Sequence, residues 1–242
     1  MFTVVSYNVH RCVGTDGRRD PERVAQLLRD LNADVIGLQE VDFNPPGESK
    51  LHQLDVLAET TGMTAVAGLT IRRAGAEYGN ALLTRGTVAS VDLHDLTVSR
   101  REPRGLIDAC IVSAGRSIRV LVTHLGLRMN ERRRQTQVLL KVLEDRAEQS
   151  DITMVLGDIN EWRPRGFAPY VLDQLLGRSP SPRTFPSVFP VFSLDRIWVA
   201  PRAALVNMET PSRSPAQIAS DHRPLVATLD LSHPELNNGR FE

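Results

Sequence analysis

Residues 152–160 carry the sequence Ile-Thr-Met-Val-Leu-Gly-Asp-Ile-Asn, in which an apolar run ends at a carboxylate and a carboxamide. A continuous apolar run of this length predicts a buried strand. Asp158 and Asn160 are two residues apart, so the strand period of two would direct both side chains to one face. A carboxylate beside a carboxamide suits a hard cation and an activated water.

A second polar pair, Asp221-His222, stands just before the apolar run at 225–229. Taken with Asp158 and Asn160, this pair suggests metal-assisted attack on a phosphate ester.

Short apolar runs along the chain predict a fold of alternating strand groups and helices. Helical spacing follows the Asp20-Pro21 start signal, and a later helix is expected at 131–146 with Val138, Leu139 and Val142 directed inward. Two further helices are expected at 51–60 and 168–176. Strands are expected at 2–7, 35–39 (ending at Glu40), 64–69, 81–84, 88–93, 106–112, 118–123, 193–199, 204–208 and 225–231. Strand groups separated by helices predict an α/β fold of two packed sheets with helices outside, in one domain over 1–242.

The ends of these strands carry a restricted set of polar residue types. Alone, an aspartate after a strand is more often a turn former or a helix cap than a ligand. Recurrence at six strand ends favours a site, because side chains at strand ends are positioned by a rigid sheet. The residues are Asn8, Glu40, His124, Asp158 with Asn160, Asp195, and Asp221 with His222.

Composition excludes several classes of protein. The 242 residues have a formal net charge of zero, which argues against a protein that coats nucleic acid through bulk charge. The two cysteines, Cys12 and Cys110, are too few and too isolated for a disulfide framework or a zinc site. The N-terminal residues do not resemble a signal peptide, and no apolar run approaches a membrane span. We therefore expect a cytoplasmic protein without a membrane span, and a monomer.

The basic residues are concentrated in the middle of the chain. Residues 100–146 contain ten arginines and one lysine against five acidic residues, a local excess of six positive charges. This excess indicates either a surface that faces phosphate or a solvated helix face with paired charges.

Seven motifs in order resemble those of the endonuclease/exonuclease/phosphatase superfamily, which includes deoxyribonuclease I, abasic-site endonucleases, neutral sphingomyelinases and inositol polyphosphate 5-phosphatases. Each motif alone is weak evidence, but seven motifs in this order over residues 7–224 are specific to the superfamily. Within it, the chain most resembles a small bacterial branch whose substrate is unassigned. The motifs are Tyr7-Asn8-Val9-His10, Leu38-Gln39-Glu40-Val41, Tyr78-Gly79-Asn80-Ala81-Leu82-Leu83, Thr123-His124-Leu125, Gly157-Asp158-Ile159-Asn160, Leu194-Asp195-Arg196-Ile197 and Ser220-Asp221-His222-Arg223-Pro224.

The resemblance implies a four-layer α/β/β/α sandwich, with two mainly antiparallel sheets flanked by helices, and hydrolysis that depends on Mg²⁺, with Mn²⁺ as a possible substitute. It implies that Glu40 ligates the metal and that Asn8 and Asp221 complete the metal shell or hydrogen-bond to it.

The same resemblance implies roles for five catalytic residues. Asp158 would orient or deprotonate the attacking water, and Asn160 and His124 would donate to the phosphoryl oxygens. His222 would act as general base or would stabilise the phosphate charge, with Asp195 fixing its tautomer.

Two further residues have alternative interpretations. Arg104 is either a phosphate ligand or a member of a surface ion pair with Glu102. Asn80 is either a polar site residue or a turn residue after Gly79.

The expected function is hydrolysis of a phosphate ester by a phosphodiesterase or phosphatase, whose substrate is a small molecule, a lipid or a nucleic acid. A DNA or RNA endonuclease or exonuclease of the same fold is the first alternative, and a non-catalytic binding module is the second. Aromatic residues make up only 5% of the chain, which argues against a stacking platform for single strands.

Overall fold

The structure, a computed structural model, describes residues 1–43, 52–73, 76–145, 150–163, 165–233 and 236. The helices are α1 (Pro21–Leu31), α2 (Gln53–Thr61), α3 (Met129–Glu144) and α4 (Phe167–Leu176). The strands are β1 (Phe2–Asn8), β2 (Val35–Asp42), β3 (Thr64–Arg73), β4 (Ala76–Thr84), β5 (Thr87–Asp95), β6 (Gly105–Ser113), β7 (Arg116–His124), β8 (Ile152–Asp158), β9 (Asp195–Ala200), β10 (Leu205–Glu209) and β11 (Leu225–Leu229).

The strands form two mixed sheets. The six-stranded sheet has the order β10-β11-β1-β2-β4-β3, and the five-stranded sheet has the order β5-β6-β7-β8-β9. Pairing is antiparallel except between β1 and β2 in the first sheet and between β7 and β8 in the second. The predicted pair of mainly antiparallel sheets is therefore confirmed.

Three apolar clusters define the four layers. Val4, Leu82, Val122 and Leu156, from strands of both sheets, belong to the cluster that fills the space between the sheets. Helices α1 and α2 cover the six-stranded sheet through a second cluster, and α3 and α4 cover the five-stranded sheet through a third. Burial of these apolar faces is the main stabilising term of such a sandwich.

Local sequence explains where α1 begins and ends. The Asp20 carboxylate accepts a hydrogen bond of 2.9 Å from the Arg23 backbone N–H, and Pro21 occupies the first helical position. Asn32 follows the helix in the left-handed conformation (φ 46°), which ends it.

Two expectations about the elements were wrong. Val138 of α3 is 38% exposed, because the buried stripe follows Leu139, Val142 and Leu143, and Val138 lies beside that stripe. The predicted end of β2 at Glu40 was also wrong, because the strand continues to Asp42 through a β-bulge. The expected helix residue Arg146 lies outside the described residues, as does Leu51.

Candidate active site

Three polar side chains form one row across the five-stranded sheet. His124 at the end of β7 is paired in register with Asp158 at the end of β8, and Asp158 is paired with Asp195 at the start of β9. Adjacent strands are about 4.8 Å apart, so the register alone places these three side chains side by side. All three are buried.

The six-stranded sheet contributes Asn8 and Glu40 to the site that contains this row. Asn8 ends β1, and its Nδ2 donates to Glu40 Oε1 at 3.1 Å and to Asp158 Oδ2 at 3.0 Å. Glu40 lies in the bulge of β2 between Leu38 and Val41 and has a positive φ of 60°. One amide therefore connects carboxylates from both sheets.

The end of β8 and the turn that follows it are strained and tightly packed. Gly157 has a φ of 150°, and a Cβ at this position would lie 1.8 Å from the Thr123 carbonyl oxygen, so only glycine fits. Asn160 has a φ of 53°, and its backbone N–H donates to Asp158 Oδ1 at 2.9 Å. The expectation that Asp158 and Asn160 share the face of one strand was wrong, because β8 ends at Asp158 and the turn positions Asn160. Backbone strain of this kind is concentrated at functional sites.

His222 faces the row from the segment before β11. Its Nδ1 lies 2.7 Å from Asp195 Oδ2, and its Nε2 lies 3.7 Å from Asp158 Oδ2. The preceding Ser220 donates from Oγ to the Asn8 carbonyl oxygen at 2.7 Å, which ties this segment to the end of β1. The carboxylates of Asp195 and Asp158 thus contact opposite sides of one imidazole ring.

The electrostatics of this group differ from those of isolated side chains. Burial raises the pKa of Asp158 to about 7, and the Asp195 charge adds to this effect, while the positive charge of His222 opposes it. Burial alone would lower the pKa of His222, but the Asp195 and Asp158 carboxylates outweigh it and raise this pKa to about 10. His222 is therefore an imidazolium at neutral pH.

His124 has the opposite character. Burial, with the charges of Arg104 and His222, holds the pKa of His124 well below its ordinary value, so this imidazole is neutral. Arg104 Nη1 lies 3.2 Å from His124 Nδ1. Asn160 Nδ2 lies 3.0 Å from His124 Nε2 and donates to the Leu125 carbonyl oxygen at 2.9 Å.

Arg104 forms the expected ion pair with Glu102, but not at the surface. Its Nη1 lies 3.2 Å from Glu102 Oε1, while the arginine is only 7% exposed and borders the cleft. Among the described residues, no partner satisfies its buried Nε. An unpaired buried donor in a cleft suits an anionic ligand.

Asn80 is an interior residue of β4, so the alternative of a turn after Gly79 was wrong. Its Nδ2 donates to the Gly105 carbonyl oxygen at 3.0 Å, which links the two sheets. Asn80 borders a narrow recess that is also lined by Glu40 and Arg104.

The predicted metal ligands offer only oxygen atoms. Glu40 borders the cleft, and Asn8 holds it from the end of β1. Asp221 is half-buried, with Oδ1 3.3 Å from Ser220 Oγ and 3.8 Å from His10 Nδ1. Carboxylate and carboxamide oxygens are the donors that Mg²⁺ and Mn²⁺ prefer.

A second place for a metal ion is formed by Asp158, Asp195 and His222. Each offers one ligand atom, and these atoms lie within 4.8 Å of one another. Asp195 Oδ1 is buried and has no hydrogen-bond partner among the described residues, which adds to the negative character of the site. However, the short Asp195–His222 contact already uses two of these ligand groups. The site as a whole fits a hard cation, because the carboxylates of Glu40, Asp158 and Asp195 lie close together and a cation would offset their mutual repulsion.

The cleft over these residues has a volume of about 290 Å³ and one aromatic wall. The Trp162 ring meets the edges of Phe185 and Phe192 at centroid distances of 5.6 and 5.0 Å, and Phe185 lies 4.9 Å from the His222 ring. Sequence reasoning assigned no role to this wall, because its members come from two distant loops.

Sequence reasoning also missed Tyr78 and Arg11, which line the cleft on the Glu40 side. Burial and the neighbouring Glu40 raise the pKa of Tyr78, whose hydroxyl hydrogen-bonds to Glu40, and the Arg11 guanidinium lies 5.0 Å from the Tyr78 ring centre. Tyr78 begins the motif that contains Asn80, which was the available signal.

The protein is thus an α/β sandwich of two mixed sheets between helices, with a buried Asp–His–Asp group at one end of the sheets. The chain belongs to the endonuclease/exonuclease/phosphatase family, whose sequence pattern matches residues 5–222. Members of this family are phosphoesterases.

Relatives and solved structures agree with this membership. The chain is 31% identical to the uncharacterized protein YbhP of Escherichia coli K12 over 251 residues, which covers 95% of this chain and 96% of YbhP. The endonuclease/exonuclease/phosphatase structure from Bacteroides vulgatus superimposes with a TM-score of 0.76 at 19% identity, covering 96% of this chain and 99% of that one. A mannosyl-6-phosphatase of Bacteroides thetaiotaomicron superimposes with a TM-score of 0.75 at 18% identity, covering 96% and 100%. At these identities the two structures show a shared fold.

Among the described helices, none is long and apolar enough to cross a membrane.

Proposed function

We propose that this protein is a divalent-cation-dependent phosphoester hydrolase that uses Asp158 and the His222–Asp195 pair. The observation that carries the proposal is the placement of His222 between Asp195, 2.7 Å from Nδ1, and Asp158, 3.7 Å from Nε2. Paired acid and base groups whose pKa values are shifted by burial and by neighbouring charges are characteristic of catalytic sites.

Asp158 is the residue that orients and deprotonates the attacking water. A pKa raised to about 7 makes this carboxyl group a suitable base near neutral pH, where a base needs a pKa close to the working pH.

His222 stabilises negative charge on the phosphoryl group. With its pKa raised to about 10, its imidazolium cannot accept a proton from water at neutral pH, so the general-base role is assigned to Asp158. Asp195 holds the ring through Nδ1 and leaves Nε2–H directed toward Asp158 and the reacting atoms.

Three further groups bind the phosphoryl oxygens. His124 and Asn160 are uncharged donors on buried, rigid backbone, so they require little reorganisation when charge builds on the phosphate. Arg104 supplies a guanidinium whose Nε is unsatisfied among the described residues.

A divalent cation, Mg²⁺ or Mn²⁺, would be held by Glu40 with Asn8 and Asp221. When bound, it supplies Lewis-acid polarisation of a phosphoryl oxygen and of water.

The shape and charge of the cleft favour a small or lipid-like phosphodiester over double-stranded DNA. A volume of about 290 Å³ matches a small group, and the wall of Trp162 and Phe185 suits an apolar or aromatic substituent next to the phosphate. A chain without net charge has little bulk attraction for a duplex.

The test compares kcat/KM, at matched salt with Mg²⁺, for glycerophosphodiesters, phospholipid vesicles and plasmid DNA, with Asp158→Asn protein as the inactive control. Turnover of the small or lipid substrates that is lost in Asp158→Asn supports the proposal. Efficient nicking of plasmid at physiological salt, without turnover of the others, would instead favour a nuclease. No turnover of any phosphoester would favour a non-catalytic binding module.

A further inference from the structure

A groove beside the active-site cleft is lined by three arginines. This arginine groove has a volume of about 550 Å³, and its lining includes Arg101, Arg128 and Arg134 with the polar side chains of Ser99 and Asn130. The three arginines come from the segment before β6, the residue before α3, and the second turn of α3. All three belong to the basic region 100–146 of the sequence.

The guanidinium groups of the arginine groove have no acidic partner among the described residues. The neighbouring Glu102 carboxylate forms its ion pair with Arg104 in the active-site cleft. The Glu131 carboxylate also borders the groove, but it is buried and accepts a hydrogen bond of 3.5 Å from the Arg128 backbone N–H. Three arginines against one buried carboxylate leave this concavity with a positive excess, so an anion bound among the guanidinium groups would be stabilised.

The arginine groove adjoins the active-site cleft at three points. Leu127 lines the cleft and Arg128 lines the groove, and the same relation holds for Glu102 and Arg101. On the third side, Arg163, which follows the cleft residue Trp162, donates to Met129 Sδ in the groove at 3.6 Å. The arginine groove and the active-site cleft are therefore neighbouring spaces on the surface.

We propose that the arginine groove binds a second phosphate group of the substrate, distinct from the phosphate that is hydrolysed. The inference rests on the proposed function, and it narrows the substrate class to compounds that carry an additional phosphate near the scissile one. Guanidinium groups match phosphate oxygens with two parallel hydrogen bonds, and Ser99 and Asn130 add neutral donors.

The experiment measures binding by isothermal titration with three probes. These are thymidine 5′-monophosphate, thymidine 3′,5′-bisphosphate and the 5′-phosphorylated thymidine dinucleotide, whose second phosphate is an internucleotide diester. All titrations use the Asp158→Asn background with Mg²⁺, so that bound phosphates are not hydrolysed. We expect at least one of the two probes with two phosphate groups to bind about ten-fold more tightly than the monophosphate, an advantage that falls as salt is raised.

Variants of the arginine groove test whether its arginines cause the tighter binding of the probes with two phosphate groups. Replacing Arg101, Arg128 and Arg134 together by alanine, or changing Arg134→Glu, should reduce the advantage to less than about two-fold. Arg29→Ala removes an exposed arginine of α1, where the guanidinium bonds to Gln26, and should keep the full advantage. An advantage that survives in the triple variant, or equal or undetectable binding of all probes before mutation, would overturn the proposal.

Failure of the hydrolase proposal would be distinguishable from failure of this one. Selective binding that depends on the three arginines, in a protein that hydrolyses no phosphoester, would reject hydrolysis and leave the groove as a phosphate-binding site.

Discussion

His222 Nδ1 lies 2.7 Å from Asp195 Oδ2, although the two residues are 27 positions apart in the chain. The pair is buried, and the ring of Phe185 covers the imidazole at 4.9 Å. Asp195 begins β9 of the five-stranded sheet, and His222 lies in the segment that leads into β11 of the six-stranded sheet, so the contact ties this segment to β9.

The Asp195–His222 contact predicts non-additive kinetics. His222→Ala should lower kcat by about 10²–10⁴-fold, which is typical of a positioned catalytic group. Asp195→Asn should lose much of the same activity, and the double variant should lose little more, because the two side chains act as one unit. Steady-state kinetics of the four proteins test this, and strictly multiplicative losses would show that Asp195 does not act through His222.

Arg104 predicts a different kinetic signature. Arg104→Ala should raise KM more than it lowers kcat, because it removes a cation that contacts both substrate and transition state. Arg104→Lys should recover only part of the loss, since an ammonium cannot reproduce the guanidinium fork. Arg29→Ala on α1 is the matched control, and an unchanged KM in Arg104→Ala would limit Arg104 to its ion pair with Glu102.

The residues that hold the metal can be identified by titrating the variants with Mn²⁺ and monitoring binding by electron paramagnetic resonance. If Glu40 holds the cation, Glu40→Gln should weaken Mn²⁺ binding at least about ten-fold, while Asp195→Asn should change it little. The opposite ranking would place the ion among Asp158, Asp195 and His222. Activity should stop in EDTA and return with Mg²⁺, and full activity of stripped protein in chelator would remove the metal from the mechanism.

The raised pKa of Asp158 predicts that stability of the metal-free protein depends on pH. The folded-state pKa is about 7 against an ordinary value of 3.8, so the folded state binds the proton more tightly. The stability contributed by this group is fully present below pH 3.8 and is lost as pH rises toward 7. Over that window the unfolding free energy of the wild type, relative to Asp158→Asn, should fall by at most about 1.4 kcal/mol per pH unit.

Denaturant melts in EDTA from pH 4 to 8 provide the measurement. Added Mg²⁺ should reduce the slope, since a cation favours the ionised carboxylate. A difference between the two proteins that does not vary with pH would refute the shifted pKa.

The buried ion pair between Asp108 and Arg119, which lies away from the active site, is expected to contribute strongly to the stability of the fold. Arg119 donates to Asp108 Oδ1 at 2.9 Å and to Oδ2 at 2.7 Å, and it also bonds to the carbonyls of Val142 and Leu143 at the end of α3. Asp108→Ala leaves a buried guanidinium unpaired and should cost about 3–5 kcal/mol in denaturant melts. Asp30→Ala, at an exposed site on α1, should stay within about 0.5 kcal/mol, and a similarly small loss for Asp108→Ala would contradict the prediction.

Local sequence determined the elements and the types of residue in the site. The apolar run before Asp158 predicted β8, and the Asp20-Pro21 signal predicted the start of α1, because strand burial and helix capping depend on neighbours in the chain. The recurrence of polar residues at strand ends indicated that Asn8, Glu40, His124 and the other polar residues at strand ends form one site.

Only the tertiary structure decided which of these residues touch and what charge each carries. The row of His124, Asp158 and Asp195 follows from strand register, and the contact of Asp158 with Asn8 follows from how the two sheets meet. Protonation of Asp158 depends on burial and on charges that arrive from distant segments, which no local pattern encodes. No local pattern encodes the arginine groove either. The exposure of its three arginines, and their lack of acidic partners among the described residues, depend on how the segment before β6 packs beside α3.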